Sequence, residues 1–430
     1  MTLVIGGFIL LFVLMLLRVP IAFALGIVGT IGFGLIVGMG PALRSVGTTA
    51  SDTVMSYNFA VIPMFILMGN LVARSGISDD LYAASQAWLG GMPGGLALAT
   101  IASCGGFSAV CGSSLATAAT MSRVAVPPMQ RFGYSDALAS GAVAAGGTLG
   151  ILIPPSIALV LYGIMTETDI AALFAAGVVP GLLGILLYMA AICLWAKFRP
   201  GDAAAAVSVS WGEKLRSLRG VLGMLFLFLL VMGGLYIGWF TPTEAAGIGS
   251  GGALLIALAR RRLTVANLFE TLYDSTRTSV SLLAILIGAL LFANFMNVAR
   301  VPQDLGGWVE SLNVAPLTVI LAIVLIYIVL GCFLESISMM LLTVPIFYPI
   351  VYGLGFDLIW FGIIVIVVIE IALITPPVGM NIFVLRSVLP GIPTLTVFRG
   401  VIPFVAADIV RAALLIAFPI LSLWLPGLIR

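Results

Sequence analysis

Apolar stretches of about twenty residues follow one another along this chain, and each is the length an α-helix needs to cross the hydrocarbon of a bilayer. They fall at about 2–17, 20–38, 55–73, 136–165, 169–196, 220–239, 242–259, 278–297, 357–388 and 396–425, with two longer runs at about 95–127 and 317–350. In lipid every backbone N–H and C=O must be paired inside the protein, so the segments have to be helices. Of the 430 residues, 62% are hydrophobic and 8% charged, against about 25% charged in a soluble domain. The expected fold class is an all-α polytopic membrane protein.

The same composition removes several functions. There is no His, no GxxxxGK[ST] phosphate loop, no GxGxxG after a strand, and no Ser/His or Cys/His pair to activate a nucleophile. Hydrolysis, phosphoryl transfer and ATP-driven work are therefore set aside, and the chain reads as a non-enzyme without a cofactor. Cys104, Cys111, Cys193 and Cys332 lie in apolar segments without CxxC spacing, which implies no disulfide framework. A formal charge of +2 without a basic tract gives nucleic acid no footing. Residues 1–17 carry neither a basic leader nor a small-residue cleavage site, so they are expected to be a retained span.

The interruptions are more informative than the spans. Each of the two long runs has small or polar residues at its middle, Cys111-Gly112-Ser113-Ser114 and Leu334-Glu335-Ser336-Ile337-Ser338. A straight span would leave these groups in lipid, whereas a re-entrant hairpin buries its tip in protein. Pro154-Pro155 and Pro376-Pro377 interrupt two further runs. A proline doublet removes backbone donors and clashes with the preceding turn, so both runs are expected to be broken helices.

The order span, hairpin, broken span, span occurs twice, which indicates an internal repeat. An offset of 222 pairs Pro154 with Pro376, Pro127 with Pro349, Gly133 with Gly355, Tyr134 with Phe356, and Ser114 with Ser336. Farther upstream the register drifts, and Leu71-Val72-Ala73-Arg74 matches Asn297-Val298-Ala299-Arg300 at 226. The first repeat crosses three times and the two spans at about 220–259 return the chain, so the second repeat starts from the opposite face. The expected division is N-terminal scaffold helices at 1–54, a first inverted repeat at 55–196, central scaffold helices and cytoplasmic loops at 197–277, and a second inverted repeat at 278–430.

Basic residues test that topology, because Lys and Arg accumulate on the cytoplasmic side. It puts fourteen of the 19 Lys and Arg on one side, Arg44, Arg300 and Arg430 on the other, and Arg386 and Arg411 within spans. Both termini are then expected to be periplasmic.

Inverted repeats with helices broken near the midplane are the plan of secondary transporters. A break frees carbonyls at the end of one half-helix and amides at the start of the next, near the bilayer centre. Carbonyls suit a small hard cation, and amides suit an anion. The cation candidates are Gly112, Ser113, Ser114, Gly147, Thr148 and Gly150 in the first half, and Ser336, Ser338, Thr375, Gly379 and Met380 in the second. The substrate candidates are Ser113, Pro154, Pro155, Glu335 and Asn381. The competing explanation of these Gly and Ser clusters is close helix packing in lipid.

Other polar groups within the spans have two readings each. Glu335 and Glu370 are intramembrane carboxylates and functional candidates on that ground. Glu335 either contacts ion or solute or caps a helix, and Glu370 either carries a proton or orients the break, or makes structural hydrogen bonds. Arg386 is expected to snorkel towards the cytoplasmic interface, the competing reading being anion binding. Asp408 and Arg411, spaced i, i+3 on one helix face, can pair, and are expected to serve structure or a subunit contact. Glu244, after Thr241-Pro242-Thr243, is expected to serve the first turn of a helix.

Long strings in the chain resemble the large membrane subunit of TRAP (tripartite ATP-independent periplasmic) transporters. They are GGFSAVCGSSLATAATMSRVAVPPMQRFGYS at 105–135, GGTLGILIPPSIALVLYG at 146–163, FTPTEAA at 240–246, GCFLESISMMLLTVPIFYPI at 331–350 and ITPPVGMNIFVLRSV at 374–388. The resemblance implies an elevator-type carrier of the ion transporter superfamily driven by a sodium gradient. It also implies two partners, a small four-helix membrane subunit encoded by a separate gene and a soluble periplasmic substrate-binding protein. Family sites for Na+ and solute carry over to Ser113, Ser114, Gly147, Thr148, Glu335, Ser336, Thr375, Gly379 and Asn381. The tip acid of relatives is in some cases Asp, one methylene shorter than Glu335.

The functional reading is a Na+-coupled importer of a small organic anion of the carboxylate kind, multi-pass in the bacterial inner membrane and in contact with its lipid. Its competitor is a carrier of the same architecture that works without a binding protein or couples to protons through Glu370. A passive channel lacks the polar residues for a continuous pore, and a membrane enzyme lacks a catalytic constellation.

Overall fold

The computed structural model describes residues 2–203, 209–331 and 333–429. Cys332 and Arg430, which entered the cysteine and charge readings, lie outside them. The chain opens with α1 (Thr2–Leu16), α2 (Ile21–Val37) and α3 (Met39–Met55). A 3-10 turn at Tyr57–Ala60 leads into α4 (Val61–Arg74), followed by α5 (Ile77–Leu89), α6 (Gly95–Cys111) and α7 (Ser114–Arg131). Next come α8 (Asp136–Thr148), α9 (Ile157–Thr166), α10 (Ile170–Phe198), α11 (Trp211–Tyr236), α12 (Pro242–Ala259) and α13 (Val265–Val298). The last part contains α14 (Val301–Ser311), α15 (Pro316–Gly331), α16 (Ser336–Gly353), α17 (Leu358–Ile374), α18 (Met380–Val388), α19 (Thr394–Ala417) and α20 (Ile420–Ile429).

Among the described residues the secondary structure is helical, and six helical segments are long and apolar enough to cross a membrane. The chain is a multi-span helical membrane protein. Helix starts follow local chemistry: Ser135 accepts from Leu138 N to begin α8, and Asp357 accepts from Ile359 N and Trp360 N to begin α17. Thr241 and Glu244 form a capping box on α12, so Glu244 has the structural place its first-turn position suggested.

Helix bounds echo the offset read in the sequence. Ser114 and Ser336 start α7 and α16, Arg131 and Gly353 end them, and Asp136 and Leu358 start α8 and α17. Gly133 and Gly355, in the turns between these pairs, both adopt the left-handed region at φ 78° and 82°.

Four features depart from the sequence reading. α3, α5 and α14 were not expected, because each mixes polar residues into a short helix and so lacks the run of apolar residues that marks a span. α13 begins at Val265 rather than near 278, so the expected division at 277/278 runs through a continuous helix. α11 begins at Trp211, ahead of the expected 220. The last run is two helices, α19 and α20, separated at Phe418-Pro419.

α17 sits at the centre. Every residue from Ile359 to Ile374 is buried, as expected for a helix apolar all round. It packs against α8, α9, α10, α15, α16, α18, α19 and α20. Small residues bring other helices together: a Cβ on Gly141 of α8 would lie 2.5 Å from the carbonyl carbon of Gly400 on α19.

Candidate functional site

α6 and α7 are joined by only Gly112 and Ser113. Gly112 ends α6 at φ 65°, a left-handed conformation that glycine adopts without strain. Ser113 then caps α7, its Oγ accepting from Ala116 N at 3.4 Å. The turn lies against the interruption between α8 and α9, where a 3-10 turn at Leu149–Ile151 precedes Pro154-Pro155 and Ser156. A Cβ on Gly112 would stand 2.6 Å from Pro155 O, and one on Gly150 would stand 2.7 Å from Ser113 O. The two segments therefore meet backbone to backbone, with glycine on each side.

Other parts of the interruption are internally paired. Ser156 Oγ donates to Ile151 O at 2.5 Å and accepts from Leu159 N at 3.3 Å. Pro154 and Pro155 are buried. Beside the turn lies a cleft of about 260 Å³ lined by residues including Gly69, Asn70, Cys111, Ser113, Ala116 and Ile157. Asn70 at its edge donates from Nδ2 to Ser275 Oγ at 2.8 Å.

The second interruption differs. α17 ends before Thr375, whose Oγ1 donates weakly to Ala372 O at 3.4 Å, and Pro376 and Pro377 are exposed. Gly379 starts α18 at φ 60°. Asn381, fully buried, donates from Nδ2 to Ala144 O of α8 at 3.1 Å. α18 also packs on α7, so the second interruption is brought to the first half of the chain. Met380 is half-buried at the start of α18.

Glu335 caps α16. Its Oε1 accepts from Ile337 N at 3.2 Å, and its Oε2 accepts from Ser338 N and Ser338 Oγ at 3.0 Å. Of its two readings, the capping one is what the geometry displays. Ser336 begins the helix half-buried and Ser338 is buried.

Two first-half candidates face neighbouring helices. A Cβ on Gly147 would meet Ala118 Cβ of α7 at 2.8 Å, the mark of a close crossing. The Thr148 hydroxyl donates to Ala145 O at 2.7 Å and lies 3.2 Å from Tyr188 Oη. Ser114 is buried at the first position of α7. Arg386 is exposed.

Sequence reasoning missed what joins the remaining charges. Tyr188 Oη donates to Asp408 Oδ2 at 2.6 Å, Arg411 Nη2 donates to Asp408 Oδ1 at 2.7 Å, and the same nitrogen donates to Glu370 Oε2. The Asp408–Arg411 pair was readable from its spacing. Glu370 and Tyr188 carried no local signal of their partners.

Interrupted helices inside a multi-span helical bundle are an arrangement met in secondary transporters. The chain matches the model of the family described as "Tripartite ATP-independent periplasmic transporter, DctM component" over residues 8–421. It belongs to that family, and is a permease component and not an enzyme. It is 37% identical over 387 residues to the C4-dicarboxylate TRAP transporter large permease protein DctM of Pseudomonas aeruginosa, covering 90% of each chain. It is 31% identical over 424 residues to the ectoine/5-hydroxyectoine TRAP transporter large permease protein UehC of Ruegeria pomeroyi, covering 98% of each. Its fold is similar to the crystal structure of the Alcanivorax borkumensis YdaH transporter, with a TM-score of 0.63 and 15% identity over 88% of this chain and 89% of that one.

Proposed function

We propose that this permease component is the translocating subunit of a Na+-coupled importer for a small carboxylate-bearing solute, and that it works as an elevator. The carrying observation is the backbone contact of Gly112-Ser113 with Gly150 and Pro155. In this reading α6–α7 and α15–α16 are re-entrant hairpins, α8–α9 and α17–α18 are broken helices, and the two sets are inverted repeats at 55–196 and 278–430. The shared bounds of α7 with α16 and the matching turns at Gly133 and Gly355 support the repeat.

The oxygen inventory suits a hard monovalent cation. Backbone carbonyls and the hydroxyls of Ser113, Ser114, Ser336, Ser338 and Thr375 are neutral oxygen donors of the kind such a cation takes. Gly112, Gly147, Thr148, Gly150, Gly379 and Met380 supply or make room for backbone carbonyls. The half-helix N-termini at Ser156 and Gly379 offer amides to a carboxylate. Ser113, Pro154, Pro155, Glu335 and Asn381 line the solute's place in this scheme.

Dicarboxylate and ectoine, the solutes in the relatives' names, share a carboxylate although ectoine is zwitterionic. The proposed solute is accordingly defined by that group and not by net charge. A periplasmic binding protein delivers it, a small four-helix membrane subunit completes the scaffold, and the assembly sits in the bacterial inner membrane with both termini periplasmic. Cation loading orders the hairpin tips and biases the mobile unit towards the closed, solute-bound state.

Uptake into proteoliposomes holding all three components, with and without an inward Na+ gradient, tests the proposal. Accumulation that depends on both the gradient and the added binding protein is expected. Undiminished accumulation without Na+ excludes the coupling, and uptake without the soluble protein excludes the delivery step.

A further inference from the structure

Four side chains outside the proposed transport site meet in the middle of the bundle. Glu370 of α17, Asp408 and Arg411 of α19 and Tyr188 of α10 are each 0% exposed. Asp408 has donors on both oxygens, Arg411 on Oδ1 and Tyr188 on Oδ2. Glu370 has Arg411 on Oε2, while its buried Oε1 has no hydrogen-bond partner among the described residues. Gly184 of α10 leaves room for the guanidinium, since a Cβ there would lie 3.1 Å from Arg411 Cζ.

The charge count does not close. A guanidinium stays protonated in proteins, so two ionised carboxylates beside it leave one net negative charge. The surroundings are apolar on Glu370's face of α17, where Ile366, Val367 and Leu373 at i−4, i−3 and i+3 are all buried. A buried charge without a partner is expensive enough that the group neutralises itself instead. Two carboxylates that share one site do so by keeping a proton between them.

We propose that the cluster is a proton-binding site, in which Glu370 and Asp408 together hold one resident proton that makes the unit with Arg411 neutral. The proton belongs to the pair, and its weight lies on Glu370. Asp408 has a donor on each of its oxygens, whereas Glu370 Oε1 is the one carboxylate oxygen of the cluster left free to carry O–H.

The groups facing the pair are Tyr188 from α10 and Arg411 from α19, and Thr148 of α8 lies behind Tyr188. Four titratable side chains from other helices packed around α17 turn elsewhere. Tyr162 of α9 donates to Leu358 O at the far end of α17, Tyr327 of α15 accepts from Thr343, Glu335 caps α16, and Arg386 of α18 is exposed. The site stands on the cluster alone and is independent of which ion drives transport.

Infrared spectroscopy of the purified membrane complex at neutral pH tests it. A protonated-carboxyl C=O stretch is expected in the wild type, shifted by 13C labelling of glutamate side-chain carboxyls and lost in Glu370→Gln. The amide mimics the protonated acid, so this variant should melt as the wild type does, while Asp408→Asn, which loses one of the two acceptor oxygens that Arg411 and Tyr188 use, should melt lower. A wild-type spectrum without such a band, or a band that glutamate labelling leaves unmoved, overturns the proposal, and neither reading requires a variant to fold.

Discussion

Thr148 and Glu370 stand 222 positions apart and at the two ends of one run of side-chain contacts. The Thr148 hydroxyl lies 3.2 Å from Tyr188 Oη, Tyr188 donates to Asp408, and Asp408 and Glu370 share Arg411 Nη2. Thr148 is the last residue of α8, and Glu370 lies four residues before the end of α17. The run therefore spans α8, α10, α19 and α17 and fixes the two interrupted helices relative to each other just ahead of their breaks.

Cutting that run at its cation should be severe. Arg411→Met leaves Asp408 and Glu370 buried without their shared donor, and breaking a buried ion pair costs about 3–5 kcal/mol. Tyr188→Phe removes the donor to Asp408 Oδ2 together with the contact to the Thr148 hydroxyl, and should cost about 1–3 kcal/mol for the unsatisfied acceptor. Thermal melts of the detergent-purified complex should rank wild type above Tyr188→Phe above Arg411→Met. The opposite ranking would mean that the tyrosine, not the guanidinium, holds the helices together.

Gly112 and Gly133 both have positive φ but differ in surroundings. A methyl group at Gly112 would stand 2.6 Å from Pro155 O, whereas Gly133 has nothing within 4 Å of a built Cβ. Gly133→Ala should cost about 1 kcal/mol, from backbone strain alone. Gly112→Ala should add displacement of the turn from the break and abolish uptake at a protein level that Gly133→Ala sustains. Uptake per mole of reconstituted complex separates the two effects.

Much of this was readable because the signals are local. Pro154-Pro155 and Pro376-Pro377 end helices by removing donors, and Gly112-Ser113 supplies a left-handed stop followed by an N-cap within two residues. The run of contacts from Thr148 to Glu370 was not readable, because Tyr188 and Asp408 are 220 residues apart and Arg411 and Glu370 are 41 apart. α5 hid for a different reason: Ser78, Asp79, Asp80 and Gln86 interrupt its apolar residues. Asp80 is explained only by Arg260, at the end of α12, whose Nη1 meets it at 2.5 Å.

Asn381 carries the second interruption to the first half of the chain. Its Nδ2 donates to Ala144 O inside α8, and both residues are buried. Asn381→Leu should cost about 1–3 kcal/mol by stranding that contact in apolar surroundings. Asn381→Asp keeps the shape but replaces the donor with an acceptor, and should be worse. A disulfide between cysteines introduced on α8 and α18 should form readily in the wild-type background and slowly in Asn381→Leu, with the rate of crosslinking as the measurement.

Glu335 separates a cap from a ligand. As a cap it accepts from Ile337 N and Ser338 N, and Asp is among the best residues for that position. Glu335→Ala should therefore lower stability by about 1 kcal/mol, while Glu335→Asp should leave the melting temperature near that of the wild type. The shorter side chain withdraws the carboxylate by one methylene from any ion or solute at the tip of α15–α16. Under the proposed function Glu335→Asp should raise the Na+ concentration or the solute concentration needed for half-maximal uptake, although the protein is as stable as before. If initial rates measured across both concentrations are unchanged in Glu335→Asp, the carboxylate serves the helix alone, and ion and solute are held by the backbone and hydroxyl oxygens around it.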